Sequence, residues 1–196
     1  MMYTIIAIIV AYLLGSLPYG LILVKVFKNM DIRTVGSKNI GATNVLRAGF
    51  PILAIATMLL DIFKGILAVL FAKMLGLDLQ IIALTGLVAT IGHIFPIWLK
   101  FSGGKGVATG FGAILFLNPT LGALALGVWI LMLLFFRYSS LSAISACIFI
   151  ALYSLILMPA NYIYIFLIVM LILFKHKANF IRLIKKEEKR INFKKK

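Results

Sequence analysis

Carboxylates are scarce in this chain. Among 196 residues there are only five Asp or Glu against 20 Lys and Arg, a formal net charge of +15. The five acids stand at Asp31, Asp61, Asp78, Glu187 and Glu188, too few and too scattered for a carboxylate metal site. One cysteine, Cys147, lies inside an apolar run, which excludes an intramolecular disulfide and a thiolate metal centre. The first basic residue is Lys25, so the apolar N-terminus lacks the positive region of a signal peptide, and 3–27 reads as a retained spanning helix. Familiar catalytic patterns are missing as well. There is no Gly-x-Ser-x-Gly turn, and only Asp31 lies near the polar loops, so no carboxylate is placed to orient a histidine in a Ser-His-Asp triad. His93 is followed by Ile94-Phe95-Pro96-Ile97-Trp98, which is not a His-x4-Asp acyltransferase pair. Chemistry in this chain must rest on electrostatics and positioning rather than on a strong protein base.

What is present is apolar. The chain is 63% hydrophobic with a mean hydropathy of +1.13, which places it in the membrane class and makes it one domain, 1–196. In a soluble protein the excess of cations would point to nucleic acid. Here the cations sit in short loops and a C-terminal tail between apolar runs, the pattern of positive-inside topology and of attraction to anionic lipids or substrates. The runs are 3–27, 52–75, 80–100, 107–117, 120–136, 141–158 and 160–174. The stretch 107–136 is too long for one span and short for two, and Asn118-Pro119 breaks it. Reading it as a hairpin of two short helices keeps the basic segments 28–51, 100–106, 137–140 and 175–196 on one side. The expected fold is therefore an all-α integral membrane protein of about seven transmembrane helices, N-terminus outside and C-terminus cytoplasmic. The outer loops 76–79, 117–120 and 158–161 are then short and hold one charge, Asp78. Polarity gathered at one interface suits an enzyme that takes a soluble substrate from one side and a lipid-like one from the membrane. A transporter more often keeps its polar site near the midplane.

Four segments carry candidate chemistry. Gly36-Ser37-Lys38-Asn39-Ile40-Gly41-Ala42-Thr43-Asn44-Val45-Leu46-Arg47 combines glycines, hydroxyls, amides and cations with no acid, the composition of an anion-binding loop or else of a flexible connector. A helix beginning near Gly41 would leave the amides of Ala42, Thr43 and Asn44 as donors, with Arg47 one turn on. Ser102-Gly103-Gly104-Lys105-Gly106 places a lysine among glycines at a helix start. It is a phosphate-cradling pattern but not a Walker A loop, because Gly106 stands where Ser or Thr would hold magnesium. Arg137-Tyr138-Ser139-Ser140 is a cytoplasmic turn whose serines serve as caps or, at Ser140, as a ligand. His176 and Asn179 share a helix face at the exit of the last run. Within the second run Asp61 and Lys64, at i and i+3, form either a structural pair or a functional one. Small residues at Gly86, Ala89, Thr90, Gly110, Gly112, Gly122 and Gly127 read as close helix packing. The tail carries ten Lys or Arg against two Glu, and Phe180, Ile184, Glu187 and Ile191 fall on one helical face, which predicts a basic helix on the inner leaflet.

Together these segments resemble the bacterial acyl-phosphate:glycerol-3-phosphate acyltransferase family, PlsY. The resemblance rests on Ala-Tyr-Leu-Leu-Gly-Ser-Leu-Pro at 11–18, Asp-Ile-Arg at 31–33, and Gly-Ser-Lys-Asn-Ile-Gly-Ala-Thr-Asn-Val-Leu-Arg at 36–47. It continues through Asp61-x-x-Lys64-Gly65, Gly92-His93-Ile94-Phe95-Pro96, Gly103-Gly104-Lys105-Gly106-Val107-Ala108-Thr109, Tyr138-Ser-Ser-Leu and His176-x-x-Asn179. Lys38 and Ile40 depart from the family's usual Gly and Pro, and no role is carried to them. The resemblance implies a bacterial inner-membrane enzyme with its site on the cytoplasmic side. It implies acyl transfer from acyl-phosphate to the sn-1 hydroxyl of glycerol 3-phosphate, giving lysophosphatidic acid and phosphate at the entry to phospholipid synthesis. The partners are those two substrates and membrane lipid, with no nucleic acid, no metal and no cofactor. An acyl-phosphate is already activated, and the substrate's own phosphate can take the proton, in keeping with the missing triad. The roles implied are catalytic for Lys105, Arg47 and Ser37. Asn39, Gly41, Thr43, Asn44, Gly103, Gly104 and Gly106 bind substrate, the backbone donors at 103, 104, 106, 43 and 44 holding the leaving phosphate. Ser140, His176 and Asn179, with Arg47 and Ser37, hold glycerol 3-phosphate. The rivals are a transporter or binding protein for a small phosphorylated metabolite, and an enzyme using acyl-CoA or acyl carrier protein directly.

Overall fold

The computed structural model describes residues 1–192; the end of the basic tail, 193–196, lies outside the described residues. Ten α-helices follow one another: α1 Met2–Ser16, α2 Tyr19–Lys28, α3 Ala42–Arg47, α4 Pro51–Met74, α5 Leu79–Ile94, α6 Val107–Leu117, α7 Pro119–Phe136, α8 Ser139–Leu157, α9 Tyr162–Lys175 and α10 Lys177–Ile184. Among the described residues there is no strand.

The breaks have local causes. Pro18 has no amide to give and bends the chain by 40° between α1 and α2. Asp78 caps α5 by accepting from the Ile81 amide at 2.9 Å, and Asn118 caps α7 by accepting from Leu121 at 2.9 Å, with Pro119 at the first helical position. The stretch 107–136 is therefore two helices, as the hairpin reading expected. Among the described residues four helices are long and apolar enough to cross a bilayer. Two bent pairs, α1 with α2 and α9 with α10, add two more, and α6 has only 11 residues. The membrane-spanning character is plain on the outer faces. Ile52, Ile55, Leu59 and Phe63 of α4 and Leu131, Leu134 and Phe135 of α7 are exposed, as side chains facing lipid are.

Inside, α1 packs along α5, α4 along α6, and α7 along α8. Small residues set these distances. At Gly112 a Cβ would strike the Ile62 carbonyl of α4, so only glycine lets these two helices touch backbone to backbone. Gly86 and Gly122 also sit against neighbouring helices, whereas a Cβ at Gly127 would meet nothing within 4 Å, so close helix packing does not require glycine there.

The tail follows the expected basic amphipathic helix through α10, where Phe180 and Ile184 are exposed, and departs from it afterwards. α10 stops at Ile184, Lys186 adopts a left-handed conformation (φ 58°), and the chain doubles back. The Ile191 amide donates to the Arg137 carbonyl at 2.7 Å, and Arg190 stacks over the Tyr138 ring at 5.2 Å. Ile191 is buried rather than laid on a membrane. The cause is a carboxylate, Glu188, drawn down into a cluster of donors.

Candidate active site

The loop before α3 is knitted by one buried side chain. Asn44 Nδ2 donates to the carbonyls of Ile32 (3.0 Å), Val35 (3.1 Å) and Asn39 (2.9 Å), and its Oδ1 accepts from the Ser37 amide at 2.7 Å. Its own amide donates to Gly41 O at 2.9 Å. The expected anion-holding role of Asn44 thus does not hold: every group it has is already paired. The Gly41 amide is likewise taken, by Asn39 Oδ1 at 2.9 Å. What the folded loop does present is side chains. Ser37, Asn39, Thr43 and Arg47 all face a common cavity, with Thr43 Oγ1 2.9 Å from Ser139 Oγ across the turn into α8.

The glycine loop also works differently from the expectation. Gly103 N–H donates to Ile94 O at 3.1 Å and Gly104 N–H to His93 O at 3.0 Å. Both amides are spent on the last turn of α5, and neither glycine lines the cavity. They dock the loop, and the next residue, Lys105, enters the cavity. Gly106 (φ 84°) then turns the chain into α6, whose first-turn amides lack helical acceptors.

Lys105 Nζ donates to Asn179 Oδ1 at 2.5 Å. Asn179 Nδ2 donates to Glu188 Oε1 at 2.8 Å, and Ser140 Oγ donates to the same oxygen at 3.0 Å. Arg182 Nε donates to Glu188 Oε2 at 2.7 Å, while the Arg47 guanidinium lies 3.9 Å from Oε1 and donates to Lys189 O at 2.8 Å. Glu188 therefore fixes which way the Asn179 amide points, and that in turn gives Lys105 its partner. Burial works against the Glu188 charge, but the hydrogen bonds from Arg182, Asn179 and Ser140 outweigh it and hold the carboxyl below its ordinary range. Burial pushes the Lys105 ammonium down to about 8. Glu188 opposes the push, and Arg182, Arg47 and Lys175 add to it. His176 Nδ1 lies 2.7 Å from Ile172 O; a carbonyl only accepts, so Nδ1 carries the proton and Nε2 is left for the cavity that His176 lines.

The cavity, about 390 Å³, has two characters. One end carries Lys105, Arg47, His176, Asn179, Ser140, Ser37, Asn39, Thr43 and the backbone of Gly41 and Gly106. The other runs between α4, α6 and α7 along Met58, Ile62, Phe111, Leu115, Leu126 and Trp129. A cationic, donor-rich end joined to an apolar slot fits an anion with a hydrocarbon chain. Of the predicted site residues, all but Gly103 and Gly104 border this space. Missed by the sequence reading were Glu188 and Arg182, and the approach of Asp61 and His93 to the cavity wall. An isolated acid pair in a run of cations was the available signal for Glu188.

Comparison with known proteins agrees with this geometry. Residues 5–186 match the family model described as glycerol-3-phosphate acyltransferase. A glycerol-3-phosphate acyltransferase of Pelagibacter ubique is 46% identical over 178 residues, covering 91% of this chain and 92% of that protein. The fold superposes on PlsY, an integral membrane glycerol 3-phosphate acyltransferase, in its glycerol 3-phosphate form, with a TM-score of 0.88, 36% identity and 96% of each chain covered. The lysophosphatidic acid form of PlsY gives a TM-score of 0.88 at 34% identity, covering 96% of this chain and 95% of that one.

Proposed function

The chain belongs to the glycerol-3-phosphate acyltransferase family, and from that premise we propose that it moves an acyl group from an acyl-phosphate to the sn-1 hydroxyl of glycerol 3-phosphate, releasing phosphate. The hydroxyl oxygen adds to the acyl carbon. The carbon–oxygen bond to phosphate breaks, phosphate leaves with the electron pair, and the hydroxyl proton ends on a phosphate oxygen. The observation that carries the reading is the joining of Lys105 and Arg47 to an apolar slot in one cavity.

Lys105, an ammonium below about pH 8, neutralises the phosphate that departs and lowers the barrier by meeting charge where it develops. Arg47 and the second Nδ2 hydrogen of Asn179 hold the phosphate of the acceptor, and Ser140 Oγ, whose hydrogen goes to Glu188, and His176 Nε2 accept from its hydroxyls. Ser37, Asn39 and Thr43 supply donors on the opposite wall, together with the amides that open α6. The acyl chain lies along Met58, Ile62, Phe111 and Trp129. No side chain in this set is a strong base, which suits an activated mixed anhydride and not a thioester. Seven spans, an outside N-terminus and a cytoplasmic site in a bacterial inner membrane belong to the same reading. The support is the collection of the basic loops at one end of the bundle.

The test uses purified full-length protein in detergent with radiolabelled glycerol 3-phosphate and a long-chain acyl-phosphate. The expected product is 1-acyl-glycerol 3-phosphate, formed one-for-one with phosphate, and absent with Lys105→Ala. Label that crosses liposome membranes unacylated, with no product formed, would replace this reading by transport of a phosphorylated metabolite.

A further inference from the structure

Beside the loop that delivers Lys105, and reaching the cavity wall, lies a charged cluster to which the proposed reaction gives no step. Asp61 and Lys64 of α4 and His93 of α5 are 3%, 1% and 4% exposed. Lys64 Nζ lies 2.8 Å from Asp61 Oδ1, and His93 Nδ1 lies 3.6 Å from the same oxygen. Lys64 also donates to the Leu17 carbonyl at 2.7 Å, at the bend that Pro18 makes between α1 and α2, and sits 5.6 Å over the Tyr19 ring. Stability alone does not ask for such a cluster, because a buried ion pair contributes little over apolar residues of the same shape.

The far side of His93 meets the glycine loop. A Cβ on Gly104 would run into His93 Nε2, and a Cβ on Gly103 would run into the His93 carbonyl and the Pro96 ring. The Gly104 amide ends on His93 O and the Gly103 amide on Ile94 O. The Nε2 edge of the imidazole therefore abuts Gly104 directly, with Lys105 the next residue along.

We propose that His93, seated by the Asp61–Lys64 pair, is a positioning residue for the acyl transfer: its ring and carbonyl form the bed on which Gly103 and Gly104 lie, and this bed sets where the Lys105 ammonium stands in the cavity. The inference rests on the reaction proposed above. It gives a reason for two glycines whose amides bind no substrate, and a task to an intramembrane charge pair. A misplacement of about 1 Å at a group that meets developing charge is enough to cost a large factor in rate.

The test reads Lys105 directly. Purified full-length protein is labelled with a small amine-reactive reagent across a pH series, and modification of Lys105 is followed by mass spectrometry. In the wild-type protein Lys105 reacts as a group titrating near 8. The charged groups around it, Glu188, Arg182, Arg47 and Lys175, and the neighbouring His176, are untouched by the substitutions. In Gly104→Ala the added methyl group pushes the loop off the ring, and in His93→Ala the loop, still held by the His93 and Ile94 carbonyls, loses the ring that backs it; in both, Lys105 shifts and gains water. Its titration then moves up towards the roughly 10.4 of an ordinary lysine, and kcat for phosphate release falls at least tenfold while the glycerol 3-phosphate KM changes little. His93→Gln, with a planar side chain of similar reach, restores both readings. Removing the ring makes room for a methyl group, so Gly104→Ala costs far less in a His93→Ala background than alone. Unchanged Lys105 titration in either single variant, or effects of the two substitutions that simply multiply, would overturn the proposal. Labelling needs no turnover, so a wild-type protein that titrates as described but releases no phosphate refutes the reaction and not the positioning.

Discussion

Replacing Glu188 by glutamine removes a charge while keeping the shape. The glutamine carbonyl still accepts from Ser140 and Asn179, but its amide faces Arg182 Nε, where the carboxylate accepted at 2.7 Å, so donor meets donor. A hydrogen bond to a charged group contributes about 1.5–3 kcal/mol. The Arg182 side chain is 41% exposed, and water screens the pair, so the figure is discounted to about 1–2 kcal/mol. If that loss falls on the alignment of Ser140 and Asn179, kcat/KM for glycerol 3-phosphate drops by roughly 5- to 30-fold. A second effect has a definite sign. Glu188 is the main group raising the proton affinity of Lys105, so without its charge the ammonium loses its proton at lower pH. Activity needs the ammonium and is lost as pH rises through the pKa. The alkaline limb of kcat/KM, near 8 in the wild type, therefore moves to lower pH in Glu188→Gln. Phosphate release measured from pH 6 to 10 on both proteins reads the two effects together. A limb that stays in place or moves upward would refute the link from Glu188 to Lys105.

Arg47→Ala removes a guanidinium from the acceptor end of the cavity, and the apparent KM for glycerol 3-phosphate should rise about 10- to 100-fold, the equivalent of one charge-assisted hydrogen bond. Lys105→Ala should abolish phosphate release with the thermal midpoint little changed, since the loop is docked through Gly103 and Gly104 and not through the lysine. Gly112→Ala forces α6 off the Ile62 carbonyl, and thermal unfolding should show a loss of about 1–3 kcal/mol. Lys64→Met leaves Asp61 buried without its counter-ion and should cost more than the double change to Asp61→Leu with Lys64→Met, in the same unfolding assay.

The helices were legible because hydropathy is a bulk signal. The runs at 52–75 and 141–158 reappear within a few residues as α4 and α8, and Asn118-Pro119 ends one helix and caps the next, as its chemistry requires. The polar loops were legible in composition but not in detail. Which amides of Gly103, Gly104 and Asn44 remain free depends on carbonyls in α5 and in residues 32–41, and no local pattern encodes that pairing. The fold of the tail was hidden for a related reason. The period of apolar residues at 180, 184 and 191 holds as a helix through Ile184, but beyond it one carboxylate with three donors within 3.0 Å, Ser140, Asn179 and Arg182, outweighs the pattern and buries Ile191. The Asp61–Lys64 pair was visible from its spacing. Its contact with His93 was not, because α4 and α5 meet only through tertiary packing.

The most direct measurement compares donors. Purified protein in detergent or bicelles is given glycerol 3-phosphate with a long-chain acyl-phosphate, and in parallel with the matching acyl-CoA. Phosphate release that requires glycerol 3-phosphate, accompanied by no acylation from acyl-CoA, is the predicted result. Equal or faster acylation from acyl-CoA, or phosphate release indifferent to glycerol 3-phosphate, would contradict a site built around Lys105 for an acyl-phosphate.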